Sequence, residues 1–286
     1  MSATGHPGGK QVLAGPEAKV HTILGEDMRV TDRFNLSGQI AAITGGAGGL
    51  GRAMAEAFVE AGAHVVLLDT DLAAARETAQ ALGRAEALHL DAADRDAQRA
   101  ALADIVRRQG RLDIAVANAG MSAGPGYITQ AGRLAAVEDA RWDAVLELNL
   151  TGVFATVQAA CGLMEEAGKG SVIVVSSIAG MRADPMVGYA YAATKAAVAN
   201  LTRQAAMEYA SRGVRVNAIA PGPIRTNIAG GRIHVPENEA AFAATVPLGR
   251  IGEPDEIKGL ALLLASDAGS YITGAVIPLD GGTTAR

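Results

Sequence analysis

The sequence predicts an α/β fold in which a doubly wound parallel sheet of about seven strands carries helices on both faces. Three observations lead there. From residue 38 onward, short apolar runs alternate with longer segments of helical period, the pattern of strands joined by crossover helices. The runs are apolar nearly throughout, as strands buried on both faces must be. No linker-like stretch interrupts residues 38–282, so a chain of 286 residues with 49% hydrophobic content reads as a single domain over residues 36–286. Right-handed crossovers then leave the doubly wound arrangement as the natural topology.

Residues 1–35 stand outside this pattern. Gly5, Pro7, Gly8, Gly9, Gly15 and Pro16 fall among them without sustained periodicity, which reads as a flexible extension. The apolar pieces at 20–24 and 30–36 leave open an arm that crosses to another subunit. Strands are expected at Gln39–Thr44, His64–Asp69, Ala85–Leu90, Leu112–Ala117, Ser171–Ser176, Val214–Ala220 and Ala275–Leu279. Helices are expected between them at Leu50–Ala61, Leu72–Leu82, Asp94–Gln109, Val137–Glu166, Tyr189–Arg212 and Pro254–Ala265, segments rich in good helix formers.

Composition excludes several classes of function. A net charge of −5 opposes a nucleic-acid surface, which needs a basic stripe, and 3% aromatic residues leave little for base stacking. Cys161 is the single cysteine, so neither an internal disulfide nor a cysteine zinc cluster is available. In its apolar helical setting it is expected as a small buried hydrophobe. His64 and His89 fall within strand segments and are expected as packing or surface residues; His6, His21 and His234 form no ligand spacing, and no catalytic metal is expected. No uninterrupted apolar run reaches the length of a bilayer span, and the first thirty residues lack the pattern of a secretion signal. A cytoplasmic protein without membrane association is the expectation.

The first strand ends in Thr44-Gly45-Gly46-Ala47-Gly48-Gly49-Leu50-Gly51, and a helix opens at once. Glycines allow the tight turn and let a pyrophosphate approach the main chain, while the helix start presents unpaired N–H groups and a partial positive charge. A flexible turn would give the same letters. The strand–loop–helix–strand context favours a dinucleotide. Asp69 follows Gly51 by eighteen residues, at the end of the second strand. A carboxylate there accepts hydrogen bonds from the adenosine ribose and repels a 2′-phosphate. No Lys or Arg lies within 44–51 or directly after Asp69, so NAD is expected rather than NADP. Asp71, immediately before a helix, is better placed than Asp69 to act as a cap.

Tyr191 and Lys195 stand four residues apart in an expected helix and so share a face. A tyrosine loses its proton near pH 10, and bringing that close to neutrality requires about 4 kcal/mol. One cation at about 4 Å supplies an interaction of that size at intermediate dielectric. The pair is therefore sufficient for proton exchange with an alcohol, although a Tyr and a Lys at this spacing also occur on ordinary amphipathic helices. Further polar residues sit at strand ends. Ser177 follows the fifth strand, fourteen residues before Tyr191; Asn118-Ala119-Gly120 ends the fourth; Pro221-Gly222 ends the sixth, with Ile224 and Thr226 just beyond. Asn149 lies on the helix after the fourth strand. In an open parallel sheet such ends share the edge where ligands bind.

Thr44–Gly51, Asn118–Gly120, Asn149, Ser177, Tyr191–Lys195 and Pro221–Thr226 together resemble the short-chain dehydrogenase/reductase family. The resemblance runs over about residues 36–282 and includes Gly249–Pro254 and Asp280–Gly282. It implies a Rossmann-like domain and hydride transfer between a nicotinamide and a secondary alcohol or ketone. Carried over by position, it implies that Tyr191 is the acid–base and that Lys195 lowers its pKa and holds the nicotinamide ribose. Ser177, rather than the neighbouring Ser176, orients the substrate oxygen, and Asn149 holds a water linked to Lys195. Gly45, Gly49, Leu50, Gly51, Asp69, Asp91, Asn118, Ala119, Gly120, Pro221, Gly222, Ile224 and Thr226 contact the cofactor, Asp91 at the adenine. Tyr189 is a decoy, since Ala193 stands where its lysine would be.

Residues 227–246, with Gly230, Gly231, Ile228, Ile233, Val235 and Phe242, are expected to form a lid over the substrate. A second insertion, 121–134, is expected as another wall. Met121, Met181 and Met186 are candidate borders of the site, and Arg182, Arg225 and Arg232 are nearby candidates for an anionic group. The resemblance implies a homotetramer or homodimer. Two rival functions remain: reduction of a 3-oxoacyl thioester, which Asp69 opposes because that reaction usually uses NADPH, and a non-catalytic NAD-binding sensor.

Overall fold

A computed structural model describes residues 29–228 and 230–285. The expected flexible extension thus lies outside the described residues up to position 28. Residues 29–35 contain an exposed 3-10 turn, Val30–Phe34. The chain joins the core at Leu36, which is fully buried and whose N–H donates to the Ala61 carbonyl at 2.8 Å.

Seven strands form one sheet: β1 Ile40–Thr44, β2 His64–Asp69, β3 Ala85–His89, β4 Ile114–Ala117, β5 Gly170–Val175, β6 Val214–Pro221 and β7 Val276–Leu279. Their spatial order is β3-β2-β1-β4-β5-β6-β7, and every neighbouring pair is parallel. β1, β4 and β5 are buried along their whole length, which accounts for their unbroken apolar sequence. Strand order reverses direction between β1 and β4, and the crevice opened there is where such sheets take ligands.

Helices α1 Gly49–Glu60, α2 Leu72–Leu82 and α8 Lys258–Ala265 cover one face. There Met54, Phe58, Ala75 and Leu264 pack on Ile43, Leu67, Val116 and Ile173. On the other face α3 Arg95–Gln109, α5 Val153–Ala167 and α6 Tyr189–Tyr209 bring Leu102, Ile105, Val157, Met164 and Val198 against Ala42, Val66, Ala115 and Val172. Cys161 belongs to this second layer; burial pushes its thiol up to about 12, consistent with a packing role. Asp71 caps α2 by accepting from Ala74 N at 3.0 Å, and Asp94 caps α3.

Three expected helices are reshaped. The run expected as Val137–Glu166 is α4 Asp139–Leu146, a π-helical stretch Glu147–Gly152, then α5. This continuous 29-residue helix is long and apolar enough to cross a membrane by composition, but half of its most apolar window is buried within the fold. The helix expected from Pro254 opens with a 3-10 turn, Pro254–Ile257, before α8. The Tyr189–Arg212 segment likewise ends in a 3-10 turn, Ala210–Arg212. Residues expected as a lid contain a 3-10 turn, Arg232–His234, and α7 Pro236–Ala243.

Candidate active site

The glycine loop is held open from behind. Gly45 has a φ of +65°, and a Cβ built there would lie 3.0 Å from the Ala119 Cα, so only glycine fits both the turn and the close approach. Asn118 Nδ2 donates to the carbonyls of Thr44 at 3.0 Å and Gly45 at 2.8 Å. Thr44 Oγ1 accepts from the N–H groups of Asn118 and Ala119 at 3.1 and 3.2 Å and donates to Val116 O. Asn118 borders the cleft and also fastens the end of β4 to the end of β1. At Gly49, a Cβ would stand 3.6 Å from the Thr226 methyl. The glycine loop and the segment after β6 thus face each other across a narrow gap.

A cleft of about 370 Å³ runs from this loop to Ile228, Ile233 and Phe242. Gly45, Gly49, Leu50, Asn118, Ala119 and Gly120 line one end. Pro221, Gly222, Ile224 and Thr226 line a second side, and Ser177, Tyr191 and Lys195 the floor. Gly51 lies behind the loop, where its missing Cβ lets α1 approach Gly45. Asp69, at the end of β2 and not on the cleft wall, has Oδ2 accepting from Ala47 N of the glycine loop at 2.9 Å and Oδ1 from Asp71 N at 3.0 Å. Asp91 is exposed and accepts from Ala93 N; it does not reach the cleft wall.

Lys195 is 2% exposed. Its Nζ donates to Val175 O at 2.8 Å and lies 5.5 Å from the centre of the Tyr191 ring. Burial lowers its pKa to about 8. The Tyr191 phenol is pushed above its ordinary value by burial; a hydrogen bond with Ser177 opposes this and the carboxylate of Asp184 adds to it. Ser177 Oγ also accepts from Ala179 N at 3.2 Å. Ser176 turns away and donates to Lys195 O at 2.9 Å, so it anchors α6 to β5. Asn149 is fully buried on the π-helical stretch. Both ends of its amide are taken by Met121, Oδ1 accepting from its N–H and Nδ2 donating to its carbonyl, each at 2.8 Å. A Cβ added at Gly120 would meet Asn149 Oδ1 at 3.3 Å and Lys195 Nζ at 3.7 Å.

Two surrounding segments complete the walls. The 121–134 insertion pairs Pro125 with Val187 in an antiparallel bridge, and Gly126 N donates to Met186 O at 3.1 Å. It therefore braces the loop between Ser177 and Tyr191. Met186 borders the cleft, whereas Met181 is 42% exposed. From the expected lid, Ile228, Ile233 and Phe242 line the cleft. Arg225 is already engaged: its guanidinium meets Glu239 of α7 at 2.7 and 2.9 Å and Glu253 at 3.0 Å. Sequence reasoning missed Ser122 and Asp184 on the cleft wall. The signal for Asp184 was a turn-forming Asp-Pro pair between Ser177 and Tyr191. Among the described residues no cluster of three His, Cys, Asp or Glu could hold a metal ion.

Fold and cleft define a doubly wound α/β protein with its ligand crevice at the β1–β4 switch point. Within that class the chain belongs to the short-chain dehydrogenase/reductase family. A family model described as enoyl-(acyl carrier protein) reductase matches residues 45–284. The chain is 38% identical over 254 residues to the 3-oxoacyl-[acyl-carrier-protein] reductase FabG of Thermotoga maritima, spanning 87% of this chain and 99% of the relative. It is 38% identical over 275 residues to the cyclohexanol dehydrogenase of a Rhodococcus species, spanning 89% and 99%. Among solved structures, a short-chain type dehydrogenase/reductase from Mycobacterium marinum aligns with a TM-score of 0.83 at 35% identity, covering 90% of this chain and all of that one. A gluconate 5-dehydrogenase from Burkholderia cenocepacia J2315, in complex with NADP and tartrate, aligns with a TM-score of 0.83 at 33% identity, covering 90% and 100%.

Proposed function

We propose that this protein interconverts a secondary alcohol and its ketone on a small or cyclic metabolite, with NAD(H) as hydride carrier and Tyr191 as acid–base. The observation that carries the reading is the convergence of Ser177, Tyr191 and Lys195 on the cleft that begins at the glycine loop. The residues present suit a dinucleotide: Gly45 and Gly49 leave a cradle that a Cβ would fill, and the start of α1 offers main-chain N–H groups to a pyrophosphate. When bound, the nicotinamide supplies or takes up the hydride.

The chain's own residues manage the proton. Tyr191 exchanges it with the reacting oxygen, and Ser177, beside the phenol on the same cleft wall, orients that oxygen. Lys195 contributes a buried charge beside the phenol and, in this reading, a hydrogen bond to the nicotinamide ribose. Asn149 fixes the Gly120–Met121 chain next to Lys195. With both ends of its amide occupied by Met121, the Asn149 side chain acts here as a brace for that main chain. Because burial holds the phenol protonated near neutral pH, the resting site is set for ketone reduction. Asp69, fixed against the glycine loop by Ala47 N and without an ion-pair partner among the described residues, supports NAD over NADP. Self-association as a homotetramer or homodimer belongs to the same reading, with Phe154 of α5 and Met207 of α6 exposed on the helices that would meet.

A second reading, reduction of a 3-oxoacyl thioester, is favoured by the similarity to FabG. Initial rates with NADH and NADPH on cyclic ketones and on a 3-oxoacyl thioester separate the two; an NADPH preference with thioester turnover would replace the proposal. Tyr191→Phe should bind NADH normally and lose about 100- to 10,000-fold in turnover. Equal rates in variant and parent would remove Tyr191 from the chemistry.

A further inference from the structure

Asp184 is a carboxylate on the wall of an otherwise largely apolar substrate cleft, in company with Met186, Val187, Ile228, Ile233 and Phe242. It is half-buried. Its Oδ1 is fixed by the N–H of Met186 at 2.9 Å. Its loop is braced by the Pro125–Val187 bridge and by the Gly126-to-Met186 and Ile128-to-Pro185 hydrogen bonds, at 3.1 and 3.4 Å. One carboxylate oxygen is thus committed to the turn, while the group as a whole borders the space in which Tyr191 and Ser177 meet the substrate. Among the described residues lining the cleft, Lys195 is the single cation, and it is engaged with Val175 O. An anionic substrate would find a repelling carboxylate there and no cation free to pair with it. A monofunctional alcohol would offer the remaining carboxylate oxygen no hydrogen bond from the substrate side, whereas a second hydroxyl would.

We infer that Asp184 selects the substrate by accepting a hydrogen bond from a second hydroxyl carried near the reacting carbon, so that diols, polyols and their hydroxyketones are preferred over simple alcohols and over carboxylate- or phosphate-bearing ones. The inference rests on the alcohol–ketone reading above and names its substrate class. Asp184→Asn separates the two duties of the side chain. The amide oxygen can still accept from Met186 N and hold the turn, whereas the side facing the cleft becomes a donor.

The test compares cyclohexanol, the cyclohexane-1,2-, 1,3- and 1,4-diols and 2-aminocyclohexanol, as kcat/KM for NAD reduction by the parent and by Asp184→Asn. Melting-point shifts of the protein–NADH complex with each compound are recorded in parallel, so selectivity is scored even where turnover is absent. In the parent, the best diol should exceed cyclohexanol by about tenfold or more. In the variant that ratio should fall by roughly 10- to 100-fold, the range for a hydrogen bond to a charged group. An unchanged ratio in rate and binding would overturn the inference, as would a preference for the amino alcohol that vanishes in the variant, since recognition would then be of a cation. Failure of the parent to turn over every alcohol while still showing diol-selective binding would instead overturn the catalytic reading alone.

Discussion

Gly51→Ala tests whether the closure of the glycine loop rests on main-chain contact between α1 and the loop. A Cβ at this position would lie 2.1 Å from the Gly45 carbonyl oxygen and 2.8 Å from Asn118 Nδ2. Carbon–oxygen contacts settle near 3.3 Å, so the loop must retreat by about 1 Å. Neither neighbour yields freely, because the same Asn118 amide donates to Thr44 O and Gly45 O. Overpacking costs about 1–3 kcal/mol, and weakening both hydrogen bonds adds about 1 kcal/mol each. A total near 3–5 kcal/mol corresponds, at roughly 2 °C per kcal/mol for a long chain, to a fall in Tm of about 6–10 °C. Calorimetry measures this, and titration of NADH fluorescence measures the accompanying loss of dinucleotide affinity, expected to be at least about tenfold given the displaced N–H groups. Gly259→Ala at an exposed position of α8, where an added Cβ meets nothing within 4 Å, should leave Tm unchanged or raise it. A Gly51→Ala protein that melts within 2 °C of the parent and binds NADH equally would refute the argument.

Other perturbations address separate parts of the site. Ketone reduction should proceed to about pH 8 and decline above it as Lys195, whose pKa is lowered to about 8, loses its charge; alcohol oxidation, which needs the phenol deprotonated, should rise with pH and go on rising above that range, because burial holds the phenol above its ordinary value. Opposed pH profiles of kcat/KM would show this, and parallel ones would contradict it. Glu239→Gln removes the charged partner that ties α7 to Arg225, and should raise KM by roughly three- to tenfold while making α7 a faster target for limited proteolysis. Asn149→Leu strands the Met121 N–H and carbonyl at a fully buried position, at a cost of about 2–4 kcal/mol, detectable as a lower Tm by differential scanning calorimetry.

What the sequence made legible was local. The glycine loop, the strand ends and the Tyr191–Lys195 spacing each lie within a few residues, and the parallel order follows from unbroken apolar runs and handedness. The π-helical stretch around Asn149 was not legible, because Glu147–Gly152 has letters that suit an ordinary helix and the change is set by Asn149 reaching Met121, 28 positions away. The second duty of Asn118 was hidden for the same reason: its partners Thr44, at the end of β1, and Gly45, in the glycine loop, lie 74 and 73 positions earlier. Arg225 could be noticed as a nearby cation but not as the partner of Glu239 and Glu253, since charge placement on a lid depends on how the lid folds back. Asp184 looked like a turn former, which it is; that it also borders the cleft depends on the 121–134 insertion packing behind it.

The pairing of Pro125 with Val187 has a consequence for transplanting selectivity between relatives. Gly126 and Gly132 sit so close to neighbouring main chain that a Cβ on either would come within 2.0 Å of a carbonyl oxygen. The two stretches therefore behave as interlocked parts of one mould. Exchanging either alone would leave a misfit seam beside the substrate, whereas swapping both as a cassette would carry the shape, and the carboxylate it presents, into a new host.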